Sequence, residues 1–423
     1  MSANPSQAAS SRPRPHPILA AASLLVMLGC TAPAVAQDID ALVRALDAAD
    51  ARERAMAACE LGELGSTAVR RAMPRLLTLL ADDSAVEGRL CRDGYGWRRG
   101  WHDDSSPGRE AAIALEEIGS EALDPLIDVL GEGTPPARDN AALALGLIED
   151  SRALPALERR LQADDQARVR ERSAWALGMI EDSRAVETLA RARSDDSEKV
   201  REQVAWALGM IESPDGVEPL GHLIRDDDAK VREQAAWALG MIESARGVEP
   251  LVAAVADGSP KVRSQVAWAL GMIESPDGVE PLTALARDGD AKVREQAAWG
   301  LGMIESPRGV DPLVRLLDDP EPSVREQAAW GLGMIEEAVA VDGLVHALAT
   351  DVSASVREQA AWALGMIEDP RAAGPLSDAL EDDDEDVRDQ AIWALGMVVQ
   401  NADIESIDTS ELARRLRESL DDE

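Results

Sequence analysis

From Val231 to Ile242 the apolar residues recur with helical spacing. At about 100° per residue, Val231, Ala235, Ala238, Leu239 and Ile242 share one arc, the expected seam of an amphipathic helix. Ala236 and Gly240, both small, lie to one side with Arg232 and would let a neighbouring helix approach closely. Glu233, Trp237 and Met241 step by four residues along the far side, with Gln234 beside them. Ser244-Ala245-Arg246-Gly247 reads as a turn. Val248 to Val255 reads as a shorter helix with Pro250 in its first turn, where a missing N–H costs little. Asp257-Gly258-Ser259-Pro260 ends it.

The pattern returns along most of the chain. Its tryptophan recurs at Trp175, Trp206, Trp237, Trp268, Trp299, Trp330, Trp362 and Trp393, 31 residues apart except for 32 between Trp330 and Trp362. A fixed period of this size specifies stacked repeats that bury their apolar faces against one another. The expected fold is all-α, an α-solenoid of about eleven helix pairs over residues 37–400. Asp38 to Asp47 and Ala51 to Leu64 are the expected first pair. Cys59, Ile113 and Leu143 take the tryptophan position in three divergent units before Trp175. Residues 401–423 are expected to form a polar C-terminal cap, with Thr409 to Leu420 as an amphipathic helix.

Val231-Arg232, Ala235-Ala236, Ala238-Leu239-Gly240 and Ile242, followed by Val248-Glu249-Pro250-Leu251, resemble the HEAT-like repeats of the phycobilisome-lyase type. The resemblance covers roughly residues 38–400. It implies fold rather than activity, because its residues are packing residues. It also implies that the Val-Arg helix lines a concave side, so that Glu233, Gln234, Trp237 and Met241 face a groove. Related HEAT-like iron hydroxylases use paired His-Glu ligands. No His-Glu dipeptide occurs here, and neither that activity nor bilin-lyase activity carries over.

Composition narrows the partner. There are 79 acidic and 43 basic residues, a net charge of −36. Such a field repels phosphate backbones, which argues against nucleic acid and favours a basic partner. With no Phe and one Tyr, aromatic chemistry is almost wholly tryptophan. Residues 1–36 read as an export signal, with Arg12 and Arg14, an apolar run from Ile18 to Gly29, and cleavage after Ala34-Val35-Ala36. A lipoprotein site at Cys30 competes and is the only membrane attachment expected. Both readings place the protein outside a bacterial cytoplasm, periplasmic or secreted.

Between Asp82 and Gly108 the period is broken. Cys59 and Ile113 are 54 residues apart, 23 more than one repeat. The insertion, residues 82–108, holds Cys91, Trp97, Arg98, Arg99, Trp101 and His102. A functional loop and a decorative one are both open. In an oxidising compartment Cys59 can pair with Cys91 and staple the insertion to the first repeat, or the two are unrelated.

Three constellations bear on function. The tryptophan column, followed by Met210, Met241, Met272 and Met303, suits a protein or extended peptide partner. The same rings could stack on a cell-wall glycan, or lie flat as packing between repeats. An arginine column from Arg170 to Arg388 follows turns that carry Asp and is expected to be structural. The acidic run Glu381 to Asp386 lacks EF-hand spacing. No catalytic motif, metal set or cofactor site is expected, although an enzyme centred on Arg98, Arg99, His102 or Cys91 is a third class of reading.

Overall fold

The structure, a computed structural model, describes residues 38–88, 90 and 104–401. The expected export signal, most of the insertion and the expected cap helix lie outside these residues. Among the described residues are 22 α-helices and one short β-ladder. From Ala51–Glu63 onward the helices alternate as first and second members of ten complete pairs, with Ile39–Ala45 before the first pair and Glu385–Asn401, a first helix, after the last. The first helices of the tryptophan repeats are Ala167–Met179, Glu198–Ile211, Ala229–Met241, Pro260–Met272, Ala291–Met303, Pro322–Ile335, Ala354–Ile367 and Glu385–Asn401. At the N-terminal end, Ile39–Ala45 precedes Ala51–Glu63.

Local chemistry sets the helix ends. Asp228 caps Ala229–Met241 by accepting from the backbone N–H of Lys230 and Val231, satisfying donors that the first turn leaves unpaired. At the other end a glutamate takes the left-handed conformation. This holds for Glu149, Glu181, Glu212, Glu243, Glu274, Glu305, Glu336 and Glu368, with φ of 51° to 57°. A side chain costs about 1–2 kcal/mol there relative to glycine's indifference. A 3₁₀ turn then leads into the second helix. The expected helix from Val248 to Val255 is shorter: Ala245–Gly247 is 3₁₀ and the α-helix is Val248–Val252. Beyond it Ala254 and Val255 donate to carbonyls three residues back, Leu251 and Val252, so the chain tightens instead of continuing the α-helix.

The seam is buried as its spacing implies: Val231, Ala235, Ala238 and Leu239 are fully inaccessible, and Ile242 nearly so. Successive first helices pack directly on one another, whereas successive second helices meet at few points. The small residues make this possible. A Cβ added to Gly240 would stand 2.6 Å from Cζ3 of Trp268 and 3.0 Å from Cα of Ala269.

A second tie runs between the turns. Arg232 donates from Nε and Nη2 to both carboxylate oxygens of Asp257, at 2.6 and 3.0 Å. Its Nη1 donates to the Asp226 carbonyl at 2.7 Å. One side chain thus joins the turns on either side of its repeat. The arrangement recurs from Arg170–Asp195 to Arg357–Asp382, as the sequence led us to expect. Asp257 also accepts from the Ser259 backbone N–H. Burial pushes its carboxyl up, but Arg232, the Ser259 N–H and the charge of Arg263 together hold it below the usual range.

The insertion has a defined base. Val86–Glu87 pairs antiparallel with Asp104–Ser105, with Val86 opposite Ser105. Arg52 Nη1 donates to the Glu87 carbonyl at 2.7 Å, and Arg54 Nε to Asp82 at 2.7 Å. Behind them Asn140 Nδ2, buried, donates to the Leu80 carbonyl at 2.9 Å.

Candidate functional site

The face opposite the seam carries four residue types through the tryptophan repeats, with Arg172 in place of the glutamine in the first and Ser264 and Asp389 in place of the glutamate in two others. In the central repeat they are Glu233, Gln234, Trp237 and Met241, all half-buried. Trp175, Trp206, Trp237, Trp268, Trp299, Trp330 and Trp362 are likewise half-buried, and Trp393 is 40% exposed. Met210, Met272 and Met303 match Met241. Each ladder tryptophan sets the Cζ3 edge of its ring over the recurring glycine one repeat back, from Trp175 over Gly146 to Trp393 over Gly365. Packing is therefore one role of the ring, and the rest of each indole stays partly open to solvent.

The neighbouring polar columns differ sharply from the arginine ladder. Gln203, Gln234, Gln265, Gln296, Gln327, Gln359 and Gln390 are half-buried and make no side-chain hydrogen bond among the described residues. Glu202 lies among them. Burial, with Asp228, Glu171 and Glu233 nearby, pushes its carboxyl above the usual range despite Lys230. Glu358 is raised for the same reasons, burial first and then Asp386, Asp384 and Glu326. Glu295 is better served, with Lys292 beside it and Ser323 donating to it at 3.0 Å.

One charged cluster went unnoticed in the sequence. Beside the insertion base, Asp139 is 2% exposed and pairs with Arg168 at 2.9 Å and Arg172 at 3.4 Å. Arg172 also places its guanidinium carbon 5.5 Å from the Trp175 ring centre. Arg109 stands close by; burial lowers its pKa, and Arg172 adds to the effect. Glu110, 4% exposed, accepts from Ser105 Oγ at 2.6 Å. The available signal was that Arg109, Asp139 and Arg172 replace the Glu and Gln of the regular repeats.

Trp97, Arg98, Arg99, Trp101 and His102 lie outside the described residues. Cys59 is buried and disulfide-bonded; both other cysteines, Cys30 and Cys91, also lie outside. Two open clefts of about 380 and 750 Å³ sit among second helices, one around His346 and one around Arg152 and Arg184. Neither is lined by the tryptophan face. Among the described residues no group of three or more His, Cys, Asp or Glu is placed to hold a metal ion.

Stacked helix pairs with this geometry have a counterpart among known families. Residues 102–178, 161–240, 217–294, 279–365 and 341–423 each match the family described as HEAT repeats. The chain belongs to the HEAT-repeat family. This HEAT-repeat chain is similar in fold to importin beta, with a TM-score of 0.61 and 16% identity over 87% of this chain and 58% of that one. It is similar also to a chain of the Kap95:Nup1 complex, at a TM-score of 0.62 and 15% identity over 91% and 59%. It thus spans about three-fifths of the length of these solved structures. No curated relative matches it.

Proposed function

We propose that this HEAT-repeat chain is an exported scaffold that binds a protein partner along its row of first helices. The observation that carries this reading is the glutamine column. An amide offers two donors and two acceptors, and here seven half-buried amides recur at one position with no hydrogen-bond partner among the described residues. Folding does not use them. A peptide backbone, with alternating N–H and C=O groups, is the ligand they fit without regard to its sequence. The tryptophan and methionine beside each glutamine add apolar contact area. Close approach of first helices, with second helices spread apart, would curve the stack so that this face is the inner one. The Kap95:Nup1 complex is a protein assembly on a similar fold, and a net charge of −36 favours a basic partner.

The repeats are read as the phycobilisome-lyase type on packing residues alone, so the reading is of binding and not of lyase chemistry. Export is part of the proposal. N-terminal sequencing of protein purified from its native host would show Gln37 first, or a lipidated Cys30 in the competing case; an intact residue 1 would overturn export.

The binding face is tested with a photoreactive residue at Gln265, compared with one at Val252, exposed on a second helix. Protein adducts should form from position 265 and be lost from 252. Equal yields, or none from 265, would overturn the reading.

A further inference from the structure

We propose that the partner meets this face as an extended segment with a lysine or arginine at every third residue, one cation over each tryptophan from Trp206 onward. This rests on the reading that the first-helix face is the docking surface, and names the chemistry of what docks.

The first rung supplies the argument. Arg172 lies three residues before Trp175, at the position that Gln203 and Gln234 hold in the following repeats. From there its guanidinium reaches the Trp175 ring, 5.5 Å from the centroid, while Asp139 balances its charge. The chain therefore shows a cation seated on a ladder tryptophan beside a carboxylate. At the next rungs the ring remains and the carboxylate column continues, interrupted once at Ser264, while glutamine replaces the arginine. Glu171 and Glu233 both lie near enough to act on Glu202, with Lys230 beside them. A cationic side chain from outside would find at Trp206 what Arg172 finds at Trp175: a half-exposed ring and a crowded negative column. Arg172 fills the first rung internally, so the track for the partner begins one repeat later.

Spacing then sets the register. Packed helices stand about 8–10 Å apart, and one three-residue turn of polyproline II advances about 9 Å while returning each third side chain to the same side. A cation every third residue keeps step with the tryptophans, and each glutamine meets the backbone between them. Closer spacing would leave every second cation away from a ring.

The test uses mature full-length protein and two synthetic peptides of equal composition and length, about 20 residues. One carries arginine at every third position; its isomer has the arginines clustered at one end. Calorimetry at physiological salt should show the spaced peptide binding at least ten-fold tighter, with a change in tryptophan fluorescence. Q203R, which would seat a second internal guanidinium, should weaken the spaced peptide about two- to five-fold, the effect of one exposed cation–π contact. R172Q should strengthen it by a similar factor. Circular dichroism and thermal unfolding would show both variants folded. Equal binding of the two peptides, or Q203R without effect, overturns the one-in-three register while leaving adducts at Gln265 to decide the docking face. Binding by neither peptide overturns the cationic occupant.

Discussion

Gly240 and Gly396 occupy the same place in their repeats and stand in opposite surroundings. A Cβ on Gly240 would press on Trp268 and on the Ala269 backbone, whereas one on Gly396 would meet nothing within 4 Å among the described residues. In a helix alanine is favoured over glycine by about 1 kcal/mol. At Gly240 that gain is set against overpacking of about 1–3 kcal/mol with a backbone atom that cannot swing aside. Thermal or urea unfolding should therefore show G240A destabilised by about 1–2 kcal/mol and G396A stabilised by about 0.5–1 kcal/mol. A gain in both would mean that the helices have room to separate. The left-handed glutamates give a second expectation. E243G removes a side chain from a conformation that disfavours it, and should stabilise by about 1 kcal/mol in the same assay; a loss would show that the Glu243 side chain contributes more than its backbone strain costs.

At the scale of the helix, much of the structure was legible from the 31-residue period. Val231, Ala235, Ala238, Leu239 and Ile242 announce their buried arc because a helix brings them together at 3.6 residues per turn. Arg232 and Asp257 are legible for another reason: a repeat that keeps both at fixed offsets keeps a tie between turns. What was hidden depends on the distance between elements. No periodicity within one helix says that Trp268 leans back over Gly240, since that contact joins two repeats. The second helix was read too long because Ala253 to Val255 are compatible with a helix, and the sequence alone does not show the change to three-residue hydrogen bonding. The charged cluster around Asp139 was missed because a search for sameness passes over the repeats that differ. The joints themselves make a further prediction. Excising Val231 to Lys261 removes one period and leaves Lys230 joined to Val262. Trp268 would then sit over Gly209, and Arg263 would reach the Asp226 carbonyl as Arg232 does now. The shortened chain should unfold cooperatively with a smaller dependence on urea, in proportion to the surface removed. Aggregation or loss of the transition would show that the repeats are not interchangeable.

For the whole molecule, charge decides how stability follows pH. The ladder aspartates, Asp226, Asp257 and Asp288 among them, titrate below their ordinary 3.8. Their contribution is complete above pH 3.8 and is lost as pH falls through their lower folded values. Glu202 and Glu358 are shifted the other way, above 4.5. The folded state binds their protons more readily, so stability rises as pH falls toward 4.5. The net charge of −36 also approaches zero near the isoelectric point of about 4.4, relieving self-repulsion. Melting temperature followed by circular dichroism should rise from pH 7 to about pH 4.5 and fall steeply below 3.8. Added sodium chloride should raise it at pH 7 and do little at pH 4.5, because screening helps only where like charges repel. A steady decline from pH 7 downward would contradict this balance.

The repetition of one joint, tryptophan on glycine and arginine on aspartate, has a mechanical consequence. From Gly146 to Trp393 successive junctions are fastened by the same parts at nearly the same interval, so among these no single one is built to give way first under tension. Drawn out by its ends, the stack would lengthen in near-equal increments, each releasing 31 residues, about 100 Å of contour. Such a chain is a graduated tether. It would stay intact under small loads, yield one unit at a time under larger ones, and re-form each unit on the intact neighbour when the load is released.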